Sequence, residues 1–208
     1  MTAVARLSPG FVLVRAFLAL FVAASLTSCG VNSVPTAQEQ VNAEFANLQA
    51  EYQRRNDLIG NLVESVKAAA GSEEQILTQV TEARARATSV SLTPAQLDNP
   101  QAVQRYNEAQ AGLSGARSLL GTMIQERYPQ LQSQQRFADL MVALEGTENR
   151  IRTQRRDYNE AVRQYNTRIR TFPDAIGAKI FYGAKPKVPF EATAGAETAP
   201  KVDFGNAG

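Results

Sequence analysis

Three charged side chains interrupt two otherwise apolar helical faces: Arg55 in one, Glu148 and Arg155 in another. A carboxylate between two guanidiniums can bind a substrate carboxylate or phosphate, and it can equally close a buried polar layer that fixes how two helices pair. The spacing favours the second reading. Setting Arg55 opposite Glu148 in an antiparallel pair also sets Phe45 opposite Tyr158 and Val41 opposite Val162, so one register matches charge to charge and apolar group to apolar group. Glu148 also faces Arg155 two turns along its own helix and can serve either arginine. The expectation is a register layer of Arg55, Glu148 and Arg155, with no catalytic residue.

One position off that seam, Asn149, Arg152, Arg156, Asn159, Arg163, Asn166 and Arg170 form a stripe with neither acid nor apolar residue. Arginine and asparagine at helical spacing bind phosphates, carboxylates or another helix, which makes the stripe a candidate partner surface. The alternatives are a solvated face or pairing with an acidic hairpin, since residues 35–91 hold eight acids against five bases and residues 149–170 hold seven arginines against two acids. Further on, Lys179, Phe181, Tyr182, Lys185, Lys187 and Phe190 combine base and aromatic, a mixture that suits a membrane interface or docking onto the helices.

What is missing narrows the chemistry. The 208 residues include no His, no Trp and one Cys, which removes Ser-His-Asp and Cys-His nucleophiles, His- or Cys-liganded metal sites, CxxC redox pairs and internal disulfides. No cofactor motif, metal-ligating cluster or nucleic-acid-binding pattern is present.

The single cysteine has a specific setting. Arg6 and Arg15 precede an uncharged apolar run from Ala16 to Leu26, which is too short for a spanning helix of ~20 residues and has the proportions of a secretory signal. The run ends in Leu26-Thr27-Ser28-Cys29, which resembles the bacterial lipoprotein box with Cys29 as the acylated (palmitate-type) mature N-terminus. Residues 1–28 then read as a lipoprotein signal peptide, the alternative being an ordinary cleaved signal or a short uncleaved anchor with an incidental cysteine. Their removal takes away two arginines and no acid, leaving 20 bases and 20 acids and no overall pull toward nucleic acid.

The body that must position these residues is helical. Long intervals free of proline and rich in Ala, Gln, Glu, Arg and Leu predict helices over about 36–70, 72–91, 101–127 and 133–170. Gly71-Ser72 followed by Glu73 and Glu74 predicts a tight turn between the first two. The first helix carries Val41, Phe45, Leu48, Tyr52, Arg55, Ile59, Leu62 and Val66, and the last carries Phe137, Met141, Leu144, Glu148, Ile151, Arg155, Tyr158, Val162, Tyr165, Ile169 and Phe172. Steps of four and three give the 3.5-residue period of a coiled-coil seam. Ala109, Gly112 and Ala116 predict a small-residue face for close helix approach. The expected fold is all-α, an up-and-down four-helix bundle with long first and last helices.

Several segments resemble LemA family proteins: Gln53 to Lys67, Glu126-Arg127-Tyr128-Pro129-Gln130-Leu131, Thr147-Glu148-Asn149-Arg150-Ile151, and Arg155 to Thr167 continuing to Phe172-Pro173. The likeness spans about residues 40–191. It departs at Gly60, where the family usually has proline, and at Phe45, where it often has tryptophan. The resemblance implies a bacterial, helical, membrane-anchored protein, with the lipobox standing in for the family's N-terminal span. The expected organisation is a signal at 1–28, a LemA-like helical bundle at 29–172 and a C-terminal extension at 173–208, disordered in its distal part. The expected function is a lipid-anchored binding or scaffold module without enzymatic activity on the extracytoplasmic side of the cell envelope. Its partners would be the membrane and another envelope protein. The alternative is a regulatory or sensor component engaging a membrane enzyme or protease through the last helix.

Overall fold

Good helix formers in long proline-free runs leave the backbone little alternative to helix, and where the run is amphipathic, packing stabilises it. The computed structural model describes residue 10 and residues 13–18, 32–70 and 74–190. Cys29, the turn expected at 71–73 and the distal tail from 191 lie outside the described residues.

All regular structure among the described residues is helical. Helix α1 is Ser33–Ala70, α2 Glu74–Ser89, α3 Pro100–Arg127, α4 Pro129–Gln132, α5 Gln135–Arg168 and α6 Asp174–Ile180, with a 3₁₀ turn at Pro94–Gln96. Local chemistry sets the boundaries. Asn99 accepts hydrogen bonds from the amides of Gln101 and Ala102, and Pro100 takes the first helical position, where its missing N–H costs nothing. Pro129 cannot continue the ladder of α3 and starts α4 instead. No helix among the described residues is long and apolar enough to cross a membrane.

The chain divides into two compact units, residues 1–49 with 153–188 and residues 50–152 with 189–208, so α1 and α5 each contribute to both. In the first unit Val34, Val41, Phe45 and Leu48 of α1 are buried, as are Tyr158, Ala161, Val162 and Tyr165 of α5. The rings of Phe45 and Tyr158 lie 5.9 Å apart. In the second unit Ile59, Leu62 and Val66 of α1, Val80 and Ala83 of α2, Leu113, Leu120 and Ile124 of α3, and Phe137 and Leu144 of α5 make one core. Truncating one of these leucines or isoleucines to alanine costs about 2 to 5 kcal/mol, through lost burial and the cavity left behind. Helices α1 and α2 run antiparallel here. Asn56 donates to Thr88 Oγ1 at 3.1 Å, and four residues on in α1 and four back in α2, Gly60 lies under the guanidinium of Arg84.

Three local expectations change. Phe172, expected to end the α5 seam, is 73% exposed, because α5 stops at Arg168 and the seam cannot outlast the helix. Gly112 faces open space, with nothing within 4 Å of where a Cβ would stand, so it does not admit a close neighbour. Helix α6 forms within the stretch expected as a C-terminal extension, as a single short segment with Gly177 and Ala178 buried.

Candidate functional site: a buried arginine layer and an exposed arginine face

Arg55, the largest fully buried side chain among the described residues, is 2% exposed at the centre of the polar layer in the second unit. Its Nη1 donates to Ser114 Oγ at 2.7 Å, and its Nη2 donates to Gln110 Oε1 at 2.7 Å and to the Gln110 carbonyl at 3.2 Å. Gln110 in turn donates to the Ala87 carbonyl, so α1, α2 and α3 are joined through two side chains. Arg55 Nη1 stands 3.6 Å from Glu148 Oε1, and Arg117 Nε stands 3.7 Å from the same oxygen. The guanidinium also lies 5.0 Å from the centre of the Tyr52 ring.

Burial pulls the Arg55 guanidinium below its ordinary value, and Glu148 opposes that pull. Glu148 Oε1 stands just beyond hydrogen-bond distance of both guanidiniums and meets them as a charge rather than through a bidentate fork.

The structure brings Arg55 and Glu148 together and puts Arg117 of α3 beside them. Arg155, assigned to this layer from the sequence, lies half-buried in the first unit. Arg117 was missed because it sits beside its helix's seam, next to Ala116, and only the packing of α3 against α5 turns it inward.

The stripe, which runs along α5 and just past its end, divides by unit. In the second unit, Asn149 and Arg152 are exposed and hydrogen-bonded to each other. In the first unit, Arg156, Arg163 and Arg170 are exposed, while Asn159 and Asn166 are half-buried. The acids that meet these arginines come from their own helix: Arg156 pairs with Asp157 at 3.2 Å, and Arg163 Nε donates to Glu160 at 2.9 Å, holding the Glu160 carboxyl below its usual range. Both arginines remain largely open to solvent, at 75% and 69% exposure. One acid of the hairpin, Glu51, meets Arg150, which lies off the stripe, at 3.0 Å.

Asn166 has a different role. Its Nδ2 donates to the Lys187 carbonyl and its Oδ1 accepts from the Lys187 amide, both at 2.8 Å, while Tyr158 Oη donates to the Val188 carbonyl at 3.0 Å. Residues 187 and 188 thus form a strap whose backbone is held by α5 without regard to side-chain identity. Burial pushes the Tyr158 hydroxyl above the usual phenol range and keeps it a donor. In the second unit, Phe190 is buried and its ring stands 6.1 Å from that of Tyr106, which in turn lies 5.9 Å from the Tyr52 ring. Of the basic and aromatic residues near the C-terminus, Lys187 and Phe190 therefore dock, and Lys179, Phe181, Tyr182 and Lys185 stay exposed.

A groove of about 450 Å³ lies between α3 and α5 in the second unit, lined by Gly121, Ile124, Gln125, Phe137, Ala138, Met141 and Val142. It has apolar walls and no titratable group, so it offers no proton transfer. No group of His, Cys, Asp or Glu able to hold a metal occurs among the described residues.

A family model described as the LemA family matches residues 44–204, most of the helical body and all of the α5 features above. The chain belongs to the LemA family. Among relatives of this LemA family protein, magnetosome proteins MamQ 2 and MamQ 1 of Paramagnetospirillum magneticum are each 27% identical to it over 157 residues, covering 68% of the chain and 58% of theirs. Magnetosome protein MamQ of Magnetospirillum gryphiswaldense is 26% identical over 157 residues, with the same coverage. The LemA chain thus spans less than two thirds of the length of these relatives.

Proposed function

We propose that this LemA family protein is a lipid-anchored, non-enzymatic binding or scaffold module of the bacterial cell envelope. It is held at the membrane by acylated Cys29 and built as an up-and-down four-helix bundle on the extracytoplasmic side. The observation that carries this reading is the contrast between its two arginine groups. Arg55 spends its donors on Ser114 and Gln110 inside the fold, which suits a layer that fixes helix register. Arg156, Arg163 and Arg170 keep theirs at the surface, where exposed pairs with Asp157 and Glu160 bind weakly and are readily exchanged for an anionic or polar partner.

The experiment is photo-crosslinking in intact cells. A crosslinking side chain at Arg163 is expected to trap an envelope protein that the same group at Thr153, exposed on the same helix, does not. Equal adducts from both positions, or none, contradict the reading. Cys29→Ser is expected to abolish lipid labelling and leave the precursor unprocessed, and normal processing with unchanged membrane extraction contradicts the anchor.

A further inference from the structure

We infer that the segment from Phe172 to Phe181 is a second membrane contact, which inserts shallowly into the interface of an anionic bilayer. Phe172 is 73% exposed, Ile176 51%, Ile180 69% and Phe181 66%. Four large apolar side chains on ten residues are far more than a surface segment carries by chance, and isolated exposed apolar residues are what a soluble surface normally shows. Their arrangement is directional. Ile176 and Ile180 stand one turn apart on α6, and Gly177 and Ala178 take the buried side.

The chemistry of the rim selects the occupant. Lys179 follows the same outward side of α6, and residues 168–185 contain Arg168, Arg170, Lys179 and Lys185 against Asp174 alone. Apolar and aromatic groups flanked by cations match the boundary between acyl chains and anionic headgroups. Each cation near such a surface adds attraction that a neutral protein face does not supply.

The position within the first unit agrees. Phe45 faces Tyr158. Eleven residues back along α1 is Val34, and eleven on from Tyr158 is Ile169, just past the end of α5, so the antiparallel register brings the start of α1 level with the chain entering this segment. Cys29 precedes Ser33 by four residues, a reach of at most about 14 Å. This step rests on the lipid anchor proposed above. A lipid on Cys29 would hold this end of the unit at the bilayer, where the four exposed side chains can be covered.

The chain has no tryptophan, so Phe181→Trp gives a single reporter. The full-length acylated protein is reconstituted into phosphatidylcholine vesicles containing a minority of phosphatidylglycerol, with lipids brominated on their acyl chains, and separated by flotation. Phe181→Trp is expected to lose roughly half its emission to the brominated lipid, while Thr153→Trp, about 22 Å up α5 from Arg168, keeps its own. Adding Lys179→Gln and Lys185→Gln is expected to reduce the quenching. Protein that floats with the vesicles but shows no quenching at Phe181→Trp overturns the contact and leaves the anchor standing. Protein that does not float overturns both. A blue shift at Phe181→Trp that grows with protein concentration in the absence of lipid assigns the patch to a second copy of the chain and overturns the membrane contact.

Discussion

Arg55 and Glu148 approach to 3.6 Å between α1 and α5, with Arg117 completing the group at 3.7 Å from the same carboxylate oxygen. A buried ion seldom adds stability over an apolar pair of equal volume, but removing one partner leaves the other charge desolvated. Arg55→Met is therefore expected to cost about 3 to 5 kcal/mol, since it also strips donors from Ser114 and Gln110. Glu148→Leu alone leaves Arg55 those hydrogen bonds and costs less. In the double variant part of the Arg55→Met loss returns, with a coupling of about 1 to 3 kcal/mol in urea unfolding. Strictly additive losses would show that the two side chains do not interact.

The strap makes a separate prediction. Asn166→Ala removes two hydrogen bonds to the Lys187 backbone, each worth about 0.5 to 1.5 kcal/mol. Trypsin is then expected to cut after Lys187 several-fold faster, and an unchanged rate contradicts the clamp. Tyr158 adds a pH signature. Its folded hydroxyl titrates above the ordinary 10.0, so its contribution is intact below that pH. At higher pH the unfolded chain releases its proton first and the stability falls. Tyr158→Phe is expected to flatten that alkaline decline, and an identical decline in the variant assigns it to other groups.

Helix α3 carries glycines with no packing reason to be there. A Cβ at Gly112 or Gly115 would meet nothing within 4 Å, so each alanine substitution is expected to gain up to about 1 kcal/mol through reduced backbone entropy. Thermal unfolding of Gly112→Ala measures this directly. A lowered midpoint would mean that the position is covered by a contact the free chain lacks.

What the sequence made legible follows the reach of each physical rule. Proline positions and the 3.5-residue seam placed the four long helices within a few residues, and Val41, Phe45, Leu48, Ile59 and Leu62 are all buried as their spacing requires. The same rule overran at Phe172, because periodicity in the sequence does not show where the helix ends. Helix α6 escaped it, having too few turns to show a period. Contacts between distant segments were out of reach for another reason. Asn166 sits on the polar stripe by spacing, and nothing local says that its amide is taken by Lys187. Arg117 likewise owes its place beside Glu148 to the packing of α3.

The central claim is that the exposed arginines of the first unit bind a partner. Replacing Arg156, Arg163 and Arg170 together with glutamine opens no cavity and breaks only exposed pairs, so stability is expected to change by no more than about 0.5 kcal/mol per site. The deciding measurement is recovery of crosslinked envelope protein with the triple variant against the unaltered chain, with unfolding followed in parallel. Unchanged stability with recovery reduced at least about tenfold, the loss of roughly one charge-assisted hydrogen bond, is the predicted result. Unchanged stability with unchanged recovery would contradict it.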